Sequence, residues 1–107
     1  MLRISDAAAG GVTKGGFMAI AVELTYRGPD ATADFYKKLL SEAGITPGGS
    51  HPDPECLFHW ATEIPGGFRV TDVWTSREKW DAFEAGGLPA RMGESKKEFY
   101  EVVNYLT

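Results

Sequence analysis

The sequence predicts an α+β domain with its elements in the order β-α-β-β-α-β. Three observations carry that expectation: a strongly two-faced first strand, two helix-like stretches closed by glycines, and a Pro-Gly-Gly turn between two β-rich runs. The order is that of the split βαβ, or ferredoxin-like, arrangement with an antiparallel sheet.

The elements follow in turn. From Met18 to Tyr26 the residues alternate between an apolar set (Met18, Ile20, Val22, Leu24, Tyr26) and a smaller set (Ala19, Ala21, Glu23, Thr25), which predicts a strand with two unlike faces. After Gly28-Pro29, Asp30 is expected to cap a helix in which Ala31, Phe35, Leu39 and Ala43 recur every fourth residue, with Tyr36 and Leu40 widening the stripe. Gly44 suits the left-handed position that ends a helix. Three prolines and two glycines make Thr46 to Glu55 a long loop. Cys56 to Ile64 and Phe68 to Thr75 form a hairpin about Pro65-Gly66-Gly67. Ser76 caps the second helix, Trp80, Phe83 and Leu88 are expected on its buried side, and Gly86-Gly87 and Pro89 should break or weaken it. Phe99 to Leu106 is expected to be the last strand.

Composition excludes several classes of function. The net charge is -4 and the 11 Lys and Arg are scattered, so no basic patch is laid out for a phosphate backbone and nucleic-acid binding is not expected. No apolar run approaches the roughly 20 residues that span a bilayer. The one cysteine, Cys56, has no partner for an intramolecular disulfide, and its spacing to the histidines is not that of a metal site; a reducing cytoplasm fits. There is no glycine-rich phosphate loop and no serine-centred nucleophile motif, so neither a cofactor nor a metal is expected. Residues 1–17 are rich in Ala and Gly, lack periodicity, and lack the apolar centre of a signal peptide. They read as a leader or flexible tail outside the 18–107 domain, with Met18 as the alternative natural start, a choice that N-terminal sequencing of the native protein decides.

The faces of the sheet bear on function. Both helices of a ferredoxin-like domain cover one face, and the other should be polar unless something covers it. Here Phe58, Trp60, Val73, Leu57, Ala61, Val70 and Trp74 leave apolar side chains on both faces of the hairpin. That pattern predicts a homodimer closed over the bare face.

The segments Leu57-Phe58-His59, Phe68 through Glu78 (FRVTDVWTSRE), Phe83, Leu88-Pro89 and Glu101-Val102-Val103-Asn104 resemble those of small bacterial proteins of the dimeric α/β barrel superfamily, related to antibiotic biosynthesis monooxygenase-like domains. The resemblance spans residues 18 to 107. It implies a dimeric α/β barrel and a range of activities, from cofactor-free oxygenases, haem-degrading enzymes, isomerases and decarboxylases to members without known activity; fold alone does not choose among them.

The candidate site residues are few. With a two-residue turn at Pro65-Gly66, His59 faces Asp72 and Leu57 faces Trp74, so His59, Asp72 and Trp74 share a face. A histidine held by a carboxylate is the usual arrangement of a general base, and a plain inter-strand hydrogen bond is the structural alternative. One more residue in the turn would put Trp60 opposite Asp72 and dissolve the pair. Trp74 and Tyr26 can stack on a flat ligand or serve as core. Asn104 needs a partner if buried, and the resemblance implies Asn, Trp and His around a substrate. Arg69 pairs either with an acidic substrate or with a neighbouring carboxylate at the rim. His51, in the proline-rich loop, is expected to be solvated, and Cys56 lacks an activating base. These residues suggest a cofactor-free oxygenase or isomerase acting on a small aromatic or polyketide-like compound. The alternatives are a non-catalytic small-ligand binder, with haem as one ligand, and a domain whose dimer is itself the function.

Overall fold

A computed structural model of the chain describes residues 19–106. β1 (Ile20–Tyr26) leads into α1 (Ala33–Glu42), then β2 (Cys56–Ile64), β3 (Gly67–Trp74), α2 (Arg77–Ala85) and β4 (Ser95–Glu101), with a 3-10 turn at Pro89–Met92 before β4. The strands make one antiparallel sheet in the order β2-β3-β1-β4. This is the ferredoxin-like α+β fold. The expected leader, residues 1–17, lies outside the described residues, as does Met18.

The hairpin turn sets the register on which the site depends. Pro65 fixes the first turn residue, and Gly66 takes a φ of 74°, which only glycine adopts without strain. A β-carbon on Gly67 would lie 2.2 Å from the Tyr26 carbonyl oxygen, so β3 approaches β1 too closely there for any side chain. Ile64 therefore faces Gly67 and His59 faces Asp72, as the two-residue turn predicts. Farther along, a bulge between Cys56 and Phe58 shifts the pairing by one, and Cys56 rather than Leu57 faces Trp74. The Leu57 carbonyl, freed by the bulge, accepts a hydrogen bond from the Tyr105 hydroxyl at 2.8 Å.

Two other expectations are corrected. Asp30 lies in a turn in which the Ala31 amide bonds to Gly28 and the Thr32 amide to Asp30, so Thr32, with its extended backbone, caps α1 by accepting from the Phe35 amide. β4 occupies Ser95–Glu101 instead of 99–106: its Lys96, Lys97 and Glu98 suit an edge strand, whose outer side faces water, and the apolar run after it leaves the sheet. Ser76 caps α2 as expected.

Burial separates the faces. Val22, Leu24 and Tyr26 of β1 and Phe68, Val70, Asp72 and Trp74 of β3 lie under the helices, with Leu39, Trp80 and Met92 packed on them. Trp74 and Trp80 are wholly buried; each removes on the order of 200 Å² from water, worth about 5 kcal/mol before ordering costs. On the other face Phe58, Trp60 and Tyr100 remain about half exposed, and no element of the described chain covers them.

Candidate active site

The β2–β3 hairpin, at one edge of the sheet, presents a row of polar atoms to the helix side. Asp72, 2% exposed, receives two hydrogen bonds: from His59 Nδ1 to Oδ1 at 2.5 Å and from Trp74 Nε1 to Oδ2 at 3.1 Å. A carboxylate only accepts, so the His59 proton sits on Nδ1 and Nε2 is left with its lone pair. The Tyr36 hydroxyl, from α1, donates to that lone pair at 2.5 Å. The result is a continuous chain, Tyr36 to His59 to Asp72, anchored by Trp74. Tyr36 reaches His59 because it lies one residue around α1 from Phe35, on the flank of the stripe that faces the sheet, and its ring packs on Phe68.

This chain lies along a cavity of about 740 Å³ between the sheet, α1, the 3-10 turn and the loop after α1. That volume falls in the range of small-molecule sites. Leu24, Leu39, Val70, Phe83 and Met92 make its lining mostly apolar, and Tyr36, His51, His59 and Asp72 supply polar atoms.

Burial and the Asp72 charge set the ionisation of the groups nearby. The Tyr36 phenol is pushed up to about 12, mainly by burial and secondarily by Asp72, so it remains protonated at neutral pH. Tyr26 is likewise pushed up to about 12 by burial, with Asp72 and Glu84 adding repulsion. Burial also drives the Cys56 thiol far above its ordinary range, and its Sγ donates to the Phe58 carbonyl at 3.4 Å. His51 is lowered, first by burial and then by the neighbouring His59 against the opposing pull of Asp72, and stays neutral.

The expected site residues divide. His59, Asp72 and Trp74 come together, with Trp74 buried beneath the site as the residue that holds Asp72 and not as a cavity wall. Tyr26 is core: its hydroxyl donates to the Pro89 carbonyl at 3.0 Å and ties β1 to the 3-10 turn. Arg69 projects from the opposite face of the sheet, beside Thr25 and 3.9 Å from Glu23, so it is a surface charge and no part of this cavity. Asn104 lies beyond β4, exposed, its side-chain oxygen accepting from the Tyr105 amide; the buried amide that the sequence suggested is absent there. His51, expected in solvent, is turned inward against His59, Trp74 and Phe83 at ring separations of 5.6, 5.5 and 5.2 Å. Tyr36 and His51 are the functional side chains the sequence did not single out.

His51, Cys56 and Asp72 bring one donor atom each within 4.8 Å of one another, a set able in principle to hold a metal ion. The chemistry of the donors argues against it. His51 Nδ1 already accepts the Asp53 amide hydrogen at 3.0 Å, so the proton is on Nε2 and neither nitrogen offers a lone pair while that bond stands.

Comparison with known proteins returns the same fold. No family model and no curated relative matches the sequence. Among solved structures, a conserved protein from Methanosarcina mazei superposes with a TM-score of 0.55 at 14% identity, over 79% of this chain and 93% of that one. A Deinococcus radiodurans protein provisionally assigned as an antibiotic biosynthesis monooxygenase superposes with a TM-score of 0.55 at 18% identity, over 84% of this chain and 97% of the other. At such identities the likeness is one of fold, and it agrees with the ferredoxin-like α+β fold that the sequence suggested.

Proposed function

We propose that the protein is a cofactor-free enzyme that removes a proton from a flat, mostly apolar compound of the aromatic or polyketide type, leading to isomerisation or oxygenation. The observation that carries this reading is the Tyr36–His59–Asp72 chain at the wall of a largely apolar cavity. Asp72 fixes the tautomer of His59 and stabilises the imidazolium that forms. The acidic hydrogen of the substrate passes to the Tyr36 oxygen as Tyr36 gives its own proton to His59 Nε2, so Tyr36 ends the step neutral. The carbanion left behind follows one of two courses. Reprotonation at another carbon gives an isomer. Alternatively it transfers its electron pair to dioxygen, forming a C–O bond; the resulting hydroperoxide regains the proton and loses water. The sum for the second course is CH₂ + O₂ → C=O + H₂O. The bare sheet face with Phe58, Trp60 and Tyr100 supports a homodimer, in which a second copy covers these residues.

A haem-binding role gains no support from the histidines. Both nitrogens of His59 are engaged, and His51 accepts from its own loop, so neither offers an axial ligand without breaking a hydrogen bond.

Oxygen uptake and quinone absorbance with 1,8-dihydroxyanthrone, corrected for uncatalysed oxidation, test the proposal. The wild type should accelerate oxidation, and His59→Ala should remove about 100-fold or more of that rate. An unchanged rate in His59→Ala would make the assignment of the base wrong.

A further inference from the structure

The loop between α1 and β2 walls the cavity along residues 45–54, yet little holds it there. At one end the Ile45 amide donates to the Leu40 carbonyl at 2.9 Å; at the other, Glu55 accepts from the Thr75 amide at 3.0 Å and from the Thr75 hydroxyl at 2.6 Å. Between these anchors, among the described residues, no hydrogen bond joins residues 46–52 to any part of the protein outside the loop. Thr46 to Ser50 are all exposed. Gly44 and Gly48, with φ of 74° and 78°, and the adjacent Gly49 give the segment freedom to swing. The side chain that crosses from this segment into the body is His51, whose ring sits against His59 of β2, Trp74 of β3 and Phe83 of α2. Its Nδ1 accepts the Asp53 amide hydrogen at 3.0 Å, which fixes the pose of the ring. That bond exists only for the neutral imidazole. A proton on Nδ1 would meet the Asp53 N–H head-on and would set a charge among three rings.

We propose that residues 46–52 are a lid over the cavity, hinged at Gly44 and Gly48-Gly49, latched shut by the neutral ring of His51 and released when that ring takes a proton. The titratable groups that face His51 are His59 and Cys56 of β2, Asp72 of β3 and Asp53 of its own loop; α2 meets it with the uncharged Phe83. Asp72 and Asp53 draw a cation to this place, whereas burial and His59 oppose it, and both Asp72 oxygens are already engaged by His59 and Trp74. Burial is the largest influence, and the latched ring is held below its ordinary value of 6.5. A histidine lowered in the closed state and ordinary in the open one favours closure above about pH 6.5, and that preference is lost as pH falls from there. At neutral pH the lid keeps water from the Tyr36–His59–Asp72 chain, and in acid it stands open. The inference needs the cavity but no reaction within it.

Cys56 is buried and lines the cavity, so its labelling by 4,4′-dithiodipyridine, a reagent that also works in acid, reports opening. His51→Ala removes the latch, and His51→Phe keeps a ring that cannot titrate. Comparing rates among variants at one pH cancels the pH dependence of the reagent and the thiol, with circular dichroism checking the fold at each pH. At about pH 7.5, His51→Ala should label roughly tenfold or more faster than the wild type, and by about pH 4.5 the two should converge. His51→Phe should stay slow at both. His59→Gln should keep the acid response of the wild type. Nuclear magnetic resonance of the Gly48 to Ser50 amides separates movement of the lid from mere exposure of Cys56: their order parameters should fall below about 0.6 in His51→Ala and in the acidified wild type, but not in His51→Phe. Equal labelling of wild type and His51→Ala at neutral pH would overturn the proposal. So would an acid response that persists in His51→Phe, one that vanishes in His59→Gln, or a loop tip that stays ordered throughout. Anthrone oxidation can be absent while these rates hold, which would sink the proposed reaction and leave the lid standing.

Discussion

Replacing Asp72 separates what this carboxylate does for stability from what it does for chemistry. In Asp72→Ala the buried Trp74 Nε1–H and the partly exposed His59 Nδ1–H lose their acceptor at a site 2% exposed. At about 1–3 kcal/mol for each unsatisfied group, the loss is roughly 2–6 kcal/mol, a large share of the 5–15 kcal/mol typical of a domain. Asp72→Asn behaves differently. Its amide oxygen can still accept from Trp74, and its NH₂ can donate to His59 Nδ1 if the imidazole moves its proton to Nε2. Both donors are then satisfied, and the stability loss should stay within about 1–2 kcal/mol. The tautomer change, however, removes the lone pair that receives the Tyr36 proton. In the serine-protease triad the corresponding change lowers kcat about 10⁴-fold, and a loss of 10³ to 10⁴ is expected here. Urea denaturation and anthrone oxidation on the two variants check this. Near-wild-type turnover in Asp72→Asn would refute the role of His59 as base, and equal destabilisation by Asn and Ala would refute the tautomer argument.

Further predictions follow from other parts of the structure. Tyr26 and Tyr36 have folded-state pKa values of about 12 against an ordinary 10, so the native state holds its phenol protons longer than the unfolded chain. Their contribution to stability is complete below pH 10 and is lost as pH rises through about 12; melts across that window should show it, and Tyr26→Phe with Tyr36→Phe should flatten the fall. Cys56, buried with a raised pKa, should resist a thiol reagent in the folded protein and react at once in denaturant; fast labelling without denaturant would contradict the burial. Trp60→Glu, on the bare face, should shift the protein from dimer to monomer in native mass spectrometry while leaving the fold intact. Thr32→Ala should cost about 1 kcal/mol through loss of the α1 cap, read by thermal or urea unfolding, whereas Asp30→Ala should cost little.

Local rules made much of this fold legible and lost their hold where tertiary contacts decide. Pro65-Gly66-Gly67 encodes its own turn, and the turn carries the register to the His59–Asp72 pair, so the centre of the site could be read from a few adjacent residues. The bulge at Leu57 could not, because the acceptor it frees is satisfied by Tyr105, 48 residues away. Tyr36 carries no signal of its own: in a helical stripe an aromatic residue reads as core, and only the position of β2 across the sheet puts His59 under its hydroxyl. His51 in a proline-rich loop reads as solvated; the spacing His51-Pro52-Asp53, which lets the ring cap its own loop, is the feature that could have marked it as held. Arg69 and Asn104 were placed by residue type, and strand alternation sends the first to the other face while the early end of β4 leaves the second beyond the sheet.

That alternation also explains how one hairpin can serve two purposes. Along β2 and β3, His59, Ala61, Val70 and Asp72 point to the helix side, where His59, Val70 and Asp72 line the cavity, while the side chains of Phe58, Trp60, Thr71 and Val73 alternate to the bare face. Each site residue is thus bonded along the backbone to a residue of the bare face, and the pairing that brings His59 to Asp72 is the same pairing that gathers Phe58 and Trp60 beside Val73. A one-residue slip would fail on both faces at once, exposing the His59–Asp72 pair on the bare face and burying Trp60 under the helices. Covering the bare face with a second copy should therefore stiffen the strands that hold the base, so a monomeric Trp60→Glu variant is expected to keep its cavity but lose hydrogen-exchange protection in β2 and to turn over more slowly than the dimer. Equal protection and equal turnover in the monomer would show that the two faces act independently.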